Sequence, residues 1–419
     1  MLSSPTPAVP ANEPDRLGPG KLKARLDDLA VLGGPQLFDA PLHVGRPNIG
    51  DRERLFARLD AALDRRQLTN GGPLVVEFEE RVAALVGVRH AIAVTNAMLG
   101  LQIAARATRM AGEVIVPSFT FIATAHALDW TGLTPVFADI EAERLNLDPG
   151  AIEPLVGERT TGIVATHLWG RTCDTDELAG LAERHGLRLI YDAAHAFACS
   201  RDGRMVGAFG DAEVFSFHAT KFVNAFEGGM ITTDDDAIAE DARLLRNFGF
   251  VGIDRTVSTG TNGKMSEASA AMGLTSLDAI DMFVAVNHRN ERLYHEHLDG
   301  VDGLSMLPPD DRGECNGQHV VLRIEPGSSG RGRDVLYRAL RAENVLARRY
   351  FYPGCHRMEP YLGRASGGGP HLPHTERATS QTLVLPTGTG ITEEEIVALC
   401  ALIRFVVSNA EALAPRIAS

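Results

Sequence analysis

Lys221 closes the segment Ser216-Phe217-His218-Ala219-Thr220-Lys221, and Glu227-Gly228-Gly229 follows it. Asp192 stands 29 positions earlier, at the end of the apolar run Leu187-Arg188-Leu189-Ile190-Tyr191. A lysine amine condenses with an aldehyde to give a Schiff base. A carboxylate facing a pyridine nitrogen keeps that nitrogen protonated, so the ring can take up electrons. A hydroxyl such as that of Ser216 can donate to a phosphate. One lysine, one strand-end carboxylate and one loop hydroxyl therefore make a cradle for pyridoxal 5'-phosphate. Phe215, Phe217, Phe222, Val223 and Phe226 surround Lys221 in the chain. Apolar surroundings lower a lysine pKa and make the amine a competent nucleophile and proton carrier.

Each of these residues also has a plainer reading. A strand-end carboxylate beside Ala193-Ala194 is costly without a partner, which a pyridinium would supply, yet Asp192 could equally cap a helix. His195 could lie beside the cofactor ring, near its phenolic oxygen, or be structural. Glu227-Gly228-Gly229 reads as a tight turn into the next strand. Thr95-Asn96-Ala97-Met98-Leu99-Gly100 opens a helix, and free backbone N–H groups at such a start bind phosphate. Ala97 and Met98 are the candidates there, although every strand–helix junction offers such groups. Phe121 follows a strand in Ser118-Phe119-Thr120-Phe121 and is either a ring-stacking aromatic or a core one. Arg348 and Arg349 beside Tyr350 suit a diphosphate or carboxylate, or a solvated surface.

The elements that must position these groups follow from hydrophobic periodicity. His90–Val94, Glu113–Pro117, Pro135–Phe137, Thr161–Thr166, Leu187–Tyr191, Ala212–Phe217 and Met230–Thr233 read as buried strands. Helices fill the intervals at Leu99–Ala107, Thr124–Thr131, Thr175–His185 and Asp236–Phe248. Apolar strands linked by helices indicate an α/β fold whose mainly parallel seven-stranded sheet is covered on both faces. Ligands sit at the carboxyl ends of such strands, where Asp192 and Ser118–Phe121 both fall. Residues 1–45 are rich in Pro, Gly and Ala, with a short helical pattern at Lys21–Leu32, and read as an amino-terminal arm. Residues 46–290 form the expected large cofactor-binding domain. Residues 291–419 read as a smaller C-terminal α+β domain, with a charged helix at Val286–Leu298 leading into it. Strands are expected near Gln318–Ile324 and Val345–Arg348, and a capping box at Thr392-Glu393-Glu394-Glu395 opens the last long helix.

Composition narrows the function further. The chain has 419 residues, 44% of them hydrophobic and 23% charged, which is ordinary globular composition. A net charge of −13 without a basic block argues against nucleic acid as a partner. The five scattered cysteines lack metal-ligand spacing and read as reduced thiols, so no metal is expected. No apolar run approaches the ~20 residues that span a bilayer, and the start lacks a secretion-signal pattern. A cytoplasmic protein without a membrane partner is the expectation.

Taken together, the motifs resemble the DegT/StrS-type sugar aminotransferases, a branch of the fold-type I pyridoxal phosphate enzymes. The matching stretches are Glu113–Phe121, His167-Leu168-Trp169-Gly170, Asp192-Ala193-Ala194-His195-Ala196, Ser216–Lys221, Glu227-Gly228-Gly229, Gly260–Glu267 and Arg349–His356. The resemblance implies Lys221 as the Schiff-base lysine, Asp192 on the pyridine nitrogen, Phe121 stacked on the ring and Ser216 on the phosphate. It implies a homodimer with a shared active site, in which Asn262 reaches the neighbouring phosphate site. It points to L-glutamate as amino donor and a nucleotide-linked ketosugar as acceptor. Arg349, Tyr350 and His356 are candidates for substrate contact. Two departures stand out. Ala97-Met98 replaces a Gly-Thr or Ala-Thr pair, which removes one hydroxyl donor, and His195 stands where glutamine is also common. The Phe217–Lys221 variant and the Tyr350–His356 segment look most like enzymes that aminate carbon 4 of dTDP-4-keto-6-deoxyglucose. A 3-keto isomer or an aminocyclitol ketone is the nearest alternative. Readings from other classes are a non-catalytic cofactor-binding sensor, or a lyase or desulfurase using Cys355.

Overall fold

Seven short apolar runs pair into one sheet: β1 (His90–Val94), β2 (Glu113–Pro117), β3 (Thr134–Ala138), β4 (Thr160–Thr166), β5 (Arg188–Asp192), β6 (Ala212–Ser216) and β7 (Gly229–Thr233). Their order is β1-β7-β6-β5-β4-β2-β3. This computed structural model describes residues 16–17, 22–308, 310–326, 332–363 and 370–417. All neighbours are parallel except β7, which runs antiparallel to both β1 and β6. The cause is local. A loop, not a crossover helix, joins β6 to β7, so the chain returns beside the strand it has just left. That loop, residues 217–228, hangs from the carboxyl edge of the sheet. Thr166 pairs with Asp192, Asp192 with Val214, and Gly229 with both Ser216 and Val94. The ends of β1, β4, β5 and β6 therefore meet at one edge, as the sequence suggests.

Alternation along the strands builds a core on each face. Phe215 faces Phe78 of α2 (Pro73–Val86, after α1, Arg52–Arg65) and Phe217, whereas Val214 and Ile231 face Leu101 and Ile103 of α3 (Ala97–Ala107). α4 (Ile122–Trp130) and α6 (Asp236–Leu245) complete the second face, and α5 (Thr175–His185) and α7 (Glu267–Asp278) the first. The approach of α3 is close. A β-carbon at Gly100 would lie 2.7 Å from Val214 Cγ1, so glycine lets the start of α3 rest on the strand ends.

α8 (Ile280–Leu298) begins six residues before the expected Val286, because only Ala279 separates it from α7. It leads to a three-stranded antiparallel sheet, ordered β8 (Leu304–Met306), β9 (Val320–Ile324) and β10 (Thr382–Leu385). α9 (Gly332–Ala342), α10 (Pro373–Gln381) and α11 (Glu393–Ser408) pack with it, and the capping box at Thr392 forms as expected. Sequence reading did not find β10, whose four residues are all buried and carry no alternation. No single helix among the described residues is long and apolar enough to cross a membrane.

The expected helical pattern at Lys21–Leu32 is a correction. Lys21 lies outside the described residues, and the rest forms two 3₁₀ turns, Leu26–Asp28 and Ala30–Leu32, split at extended Leu29. Burial explains the break. Leu29, Leu37 and Phe38 insert among Tyr294, Leu340 and Leu399 of the smaller sheet's core. The buried Glu343 carboxylate accepts from Ala30 N at 2.8 Å and from Leu37 N at 2.6 Å. Leu42–His43 then pairs in parallel with Val345–Leu346.

Glu267 performs a similar service inside the large sheet's core. It is fully buried and accepts from Leu74 N at 3.0 Å and Val75 N at 2.9 Å, where α2 begins. Glu267→Ala strands both donors and is expected to cost about 2–3 kcal/mol, read by urea unfolding; Glu267→Gln should keep part of that stability.

Candidate active site

The carboxyl edge of the sheet holds a buried acid. Asp192 is 6% exposed, and its Oδ2 accepts from Thr124 Oγ1 at 2.7 Å while Oδ1 accepts from Ala194 N at 3.0 Å. Thr124 belongs to a chain of hydroxyls in which Thr120 Oγ1 lies 3.0 Å from Thr124 Oγ1 and 3.2 Å from Thr166 Oγ1. Burial raises the Asp192 pKa, against the pull of Thr124, Ala194 and the more distant Lys221 charge. Among the described residues no arginine or lysine forms a direct ion pair with it. The helix-cap alternative is not what is seen, since no helix follows Asp192, whose carboxylate accepts from Thr124 and from the N–H two positions on.

Lys221 is presented by a loop that is bonded at both ends. Phe217 N donates to Gly228 O and Ala225 N to Phe217 O, each at 2.8 Å, which closes the base of the loop. Phe222 N donates to Gln318 Oε1 at 3.0 Å, and Phe222 O accepts from Asn48 Nδ2 at 3.1 Å. Asn48 Oδ1 meanwhile accepts from Thr389 N and Oγ1, so one asparagine joins the lysine loop to the segment before α11. Burial pushes the Lys221 amine down to about 8, with the Asp192 charge opposing. Phe215, Phe217, Phe222 and Val223 are buried around it as expected, but Phe226 is 46% exposed and turned outward at φ 59°. Ser216 ends β6 half-buried, with its Oγ 3.4 Å from His218 N.

Two histidines share the wall. His195 is buried, and its Nδ1 accepts from Trp169 N at 3.4 Å, which leaves the ring proton on Nε2. Its ring centroid lies 4.5 Å from that of His319. Burial and the Lys221 charge hold both rings neutral, His319 down to about 3. Sequence reading missed His319 and Thr124: neither sits in a motif, and only the packing of β9 and α4 brings them to the strand ends.

The remaining candidates separate. Phe121 is 53% exposed at the start of α4, which removes the core-aromatic reading and leaves its ring face open. Ala97 and Met98 open α3, where Asn96 Oδ1 takes Leu99 N at 2.9 Å. Their own N–H groups precede the first intrahelical bond. A β-carbon at Gly229 would lie 2.8 Å from Ala97 N, so glycine lets β7 pass directly beneath this loop. Asn262 lies on exposed backbone paired with Asn247. Arg349 is not a solvated arginine: it pairs with Asp334 at 3.1 Å and lies over Tyr337 and Tyr352. Tyr350 stacks on Phe351 with centroids 5.0 Å apart, and Phe351 stacks in turn on Trp169. His356 is buried with Nδ1 2.6 Å from Ser118 Oγ, away from the lysine loop's contacts. Cys355 is buried too, its thiol pushed up to about 12, so it is no desulfurase nucleophile.

Comparison with known proteins agrees with this arrangement. Residues 50–404 match the model of the DegT/DnrJ/EryC1/StrS aminotransferase family. A dTDP-4-amino-4,6-dideoxy-D-glucose transaminase from Escherichia coli is 33% identical over 368 residues, covering 87% of this chain and 98% of that one. A GDP-perosamine synthase from Caulobacter vibrioides is 34% identical, covering 86% and 97% respectively. The crystal structure of DesI in the presence of its TDP-sugar product superposes with a TM-score of 0.91 at 52% identity, over 94% of this chain and all of DesI. With a family match over residues 50–404 and the fold of DesI, this protein belongs to the DegT/DnrJ/EryC1/StrS family of pyridoxal-phosphate-dependent aminotransferases.

Proposed function

We propose that the protein moves an amino group from L-glutamate to carbon 4 of dTDP-4-keto-6-deoxy-D-glucose in a ping-pong reaction. The observation that carries this reading is the opposition of Lys221 and Asp192, a partly buried amine and a buried carboxylate without other ion partners among the described residues. The named activity of the Escherichia coli relative and the TDP-sugar product of DesI support the choice of sugar. Pyridoxal 5'-phosphate, when bound, supplies an aldehyde for the donor's amine and an electron-accepting ring.

The residues fit that group. A protonated pyridine nitrogen is the cation that buried Asp192 lacks, and Thr124 and Ala194 fix the carboxylate's orientation toward it. Phe121 offers an open ring face for stacking. Ser216, with the N–H groups of Ala97 and Met98, offers phosphate donors where a threonine hydroxyl is absent. Neutral His195 and His319 add bulk and hydrogen-bonding capacity without competing charge. With the cofactor bound, Lys221 would be the group that carries the substrate's α-proton, a task suited to an amine with its pKa lowered to about 8. Exposed Phe250, Ile253 and Val257, close in sequence to Asn262, favour a homodimer in which a second copy covers this edge. The expected place of work is the cytoplasm.

The test is the visible spectrum of the purified holoenzyme. L-Glutamate should abolish the bound cofactor's absorbance band, and dTDP-4-keto-6-deoxyglucose should restore it. Bleaching without recovery rejects this acceptor, and recovery with a GDP-ketosugar reassigns the nucleotide. Asp192→Asn should slow both halves by on the order of 10²-fold, measured by stopped flow. The lysine's lowered pKa fixes a further sign. As pH rises through about 8 the amine loses its proton. The rate at which apoprotein takes up pyridoxal phosphate should therefore rise about fivefold from pH 7 to 8 and level off above 9. An ordinary lysine would keep accelerating to pH 10.

A further inference from the structure

Thr220, immediately before Lys221, also borders a cavity of about 470 Å³. Its other side chains include Arg16, His43, Arg46 and Arg348, and among the described residues no aspartate or glutamate lines it. In a chain of net charge −13, the charged side chains described in this lining are all arginines. The chain is drawn tightly around it. A β-carbon on Gly45, at φ 73°, would lie 2.9 Å from Thr220 Cβ, so only glycine lets the arm lie against the lysine loop. Arg16 is neutralised by Glu395 at 2.9 Å and donates to Gly390 O at 2.8 Å, which makes it part of the frame. The stem of Arg46 crosses Gly390. Arg348 has its backbone fixed to Val384 by bonds of 3.0 and 2.8 Å while its side chain is exposed. The field of Arg46, Arg348 and Arg16, together with partial burial, holds His43 below its usual pKa.

Arg348 connects this cavity to the reacting groups. It lines a second cavity of about 270 Å³ that contains Phe121, Tyr350 and Tyr352. The arginine is thus bracketed by the residue before Lys221 on one side and the ring-stacking candidate on the other. A bidentate guanidinium here would meet a carboxylate or a phosphate equally well. Distance separates the two. The distal carboxylate of an acidic amino donor stands one short side chain from the carbon that reacts with Lys221. The diphosphate of a nucleotide sugar is attached across the hexose ring from carbon 4 and must lie farther off.

We infer that the cavity walled by His43, Arg46 and Arg348 is the subsite for the side-chain carboxylate of the amino donor, and that it selects glutamate over neutral amino acids. This rests on the transaminase reading above. The experiment compares L-glutamate with L-glutamine in the donor half-reaction of the holoenzyme, for wild type, Arg348→Ala, Arg46→Ala and Arg348→Lys. The expected result is a fall of at least tenfold in the glutamate-to-glutamine ratio of kcat/KM in either alanine variant, with partial recovery in Arg348→Lys. A general loss of fold or cofactor would lower both donors together and leave the ratio unchanged. Calorimetric binding of glutarate to the resting holoenzyme gives a readout free of turnover, and its Kd should weaken at least tenfold in Arg348→Ala. An unchanged ratio with unchanged glutarate binding overturns the inference. Loss confined to the ketosugar half-reaction also overturns it and assigns the cations to the diphosphate. If wild-type enzyme ignores glutamate altogether, the donor reading fails, and glutarate binding still decides whether a dicarboxylate uses the cavity.

Discussion

A carboxylate does not stay ionised in an apolar interior unless something nearby favours its charge, and most of this molecule's site follows from that requirement at Asp192. The parallel pairing of β4, β5 and β6 fixes the acid at the sheet's carboxyl edge, beneath the start of α4. Threonines at 120, 124 and 166 supply hydrogen bonds, and the opposed charge of Lys221 supplies part of the remainder. The two groups restrain each other. Desolvation lowers the lysine's affinity for its proton and raises the acid's, while each charge opposes that shift in the other. A ring that offers a cation to one and an aldehyde to the other relieves both.

The antiparallel return of β7 is the second constraint. Were β6 followed by a crossover helix, as β1, β2 and β4 are, the lysine would sit near a helix start. The return instead makes a closed loop whose base is hydrogen-bonded and whose Phe217, Phe222, Val223 and Ala225 are buried in the core. The loop is irregular backbone, yet Gln318, Asn48 and Ser276 satisfy its polar groups around Phe222 and Asn224.

Much of this was legible in the chain. The seven strands and their helices announced themselves as short apolar runs at regular intervals, and Lys221, Asp192 and Phe121 stood in motifs whose residue types state their chemistry. What escaped had weak local signals. Thr124 and His319 gain meaning only from tertiary proximity. β10 is too short and too uniformly buried to show a period. The amino-terminal helical pattern was overridden because Leu29 gains more by inserting into the smaller sheet's core than by continuing a helix. Arg349 reads as either a ligand contact or a solvated surface residue because nothing in the sequence shows that Asp334 and Tyr337, a turn of α9 apart, will lie against it.

The amino-terminal segment deserves a mechanical reading. It is anchored on the smaller sheet through Glu343 and β-pairing at Leu42–His43, passes against Thr220 at Gly45, and ends at Asn48, which grips Phe222 and Thr389 at once. This is a strap of fixed length with the lysine loop threaded beneath it. Any rotation of the smaller sheet against the larger one must pull on the strap, and the strap on the loop. The posture of the Lys221 side chain is thereby geared to the spacing between the two sheets.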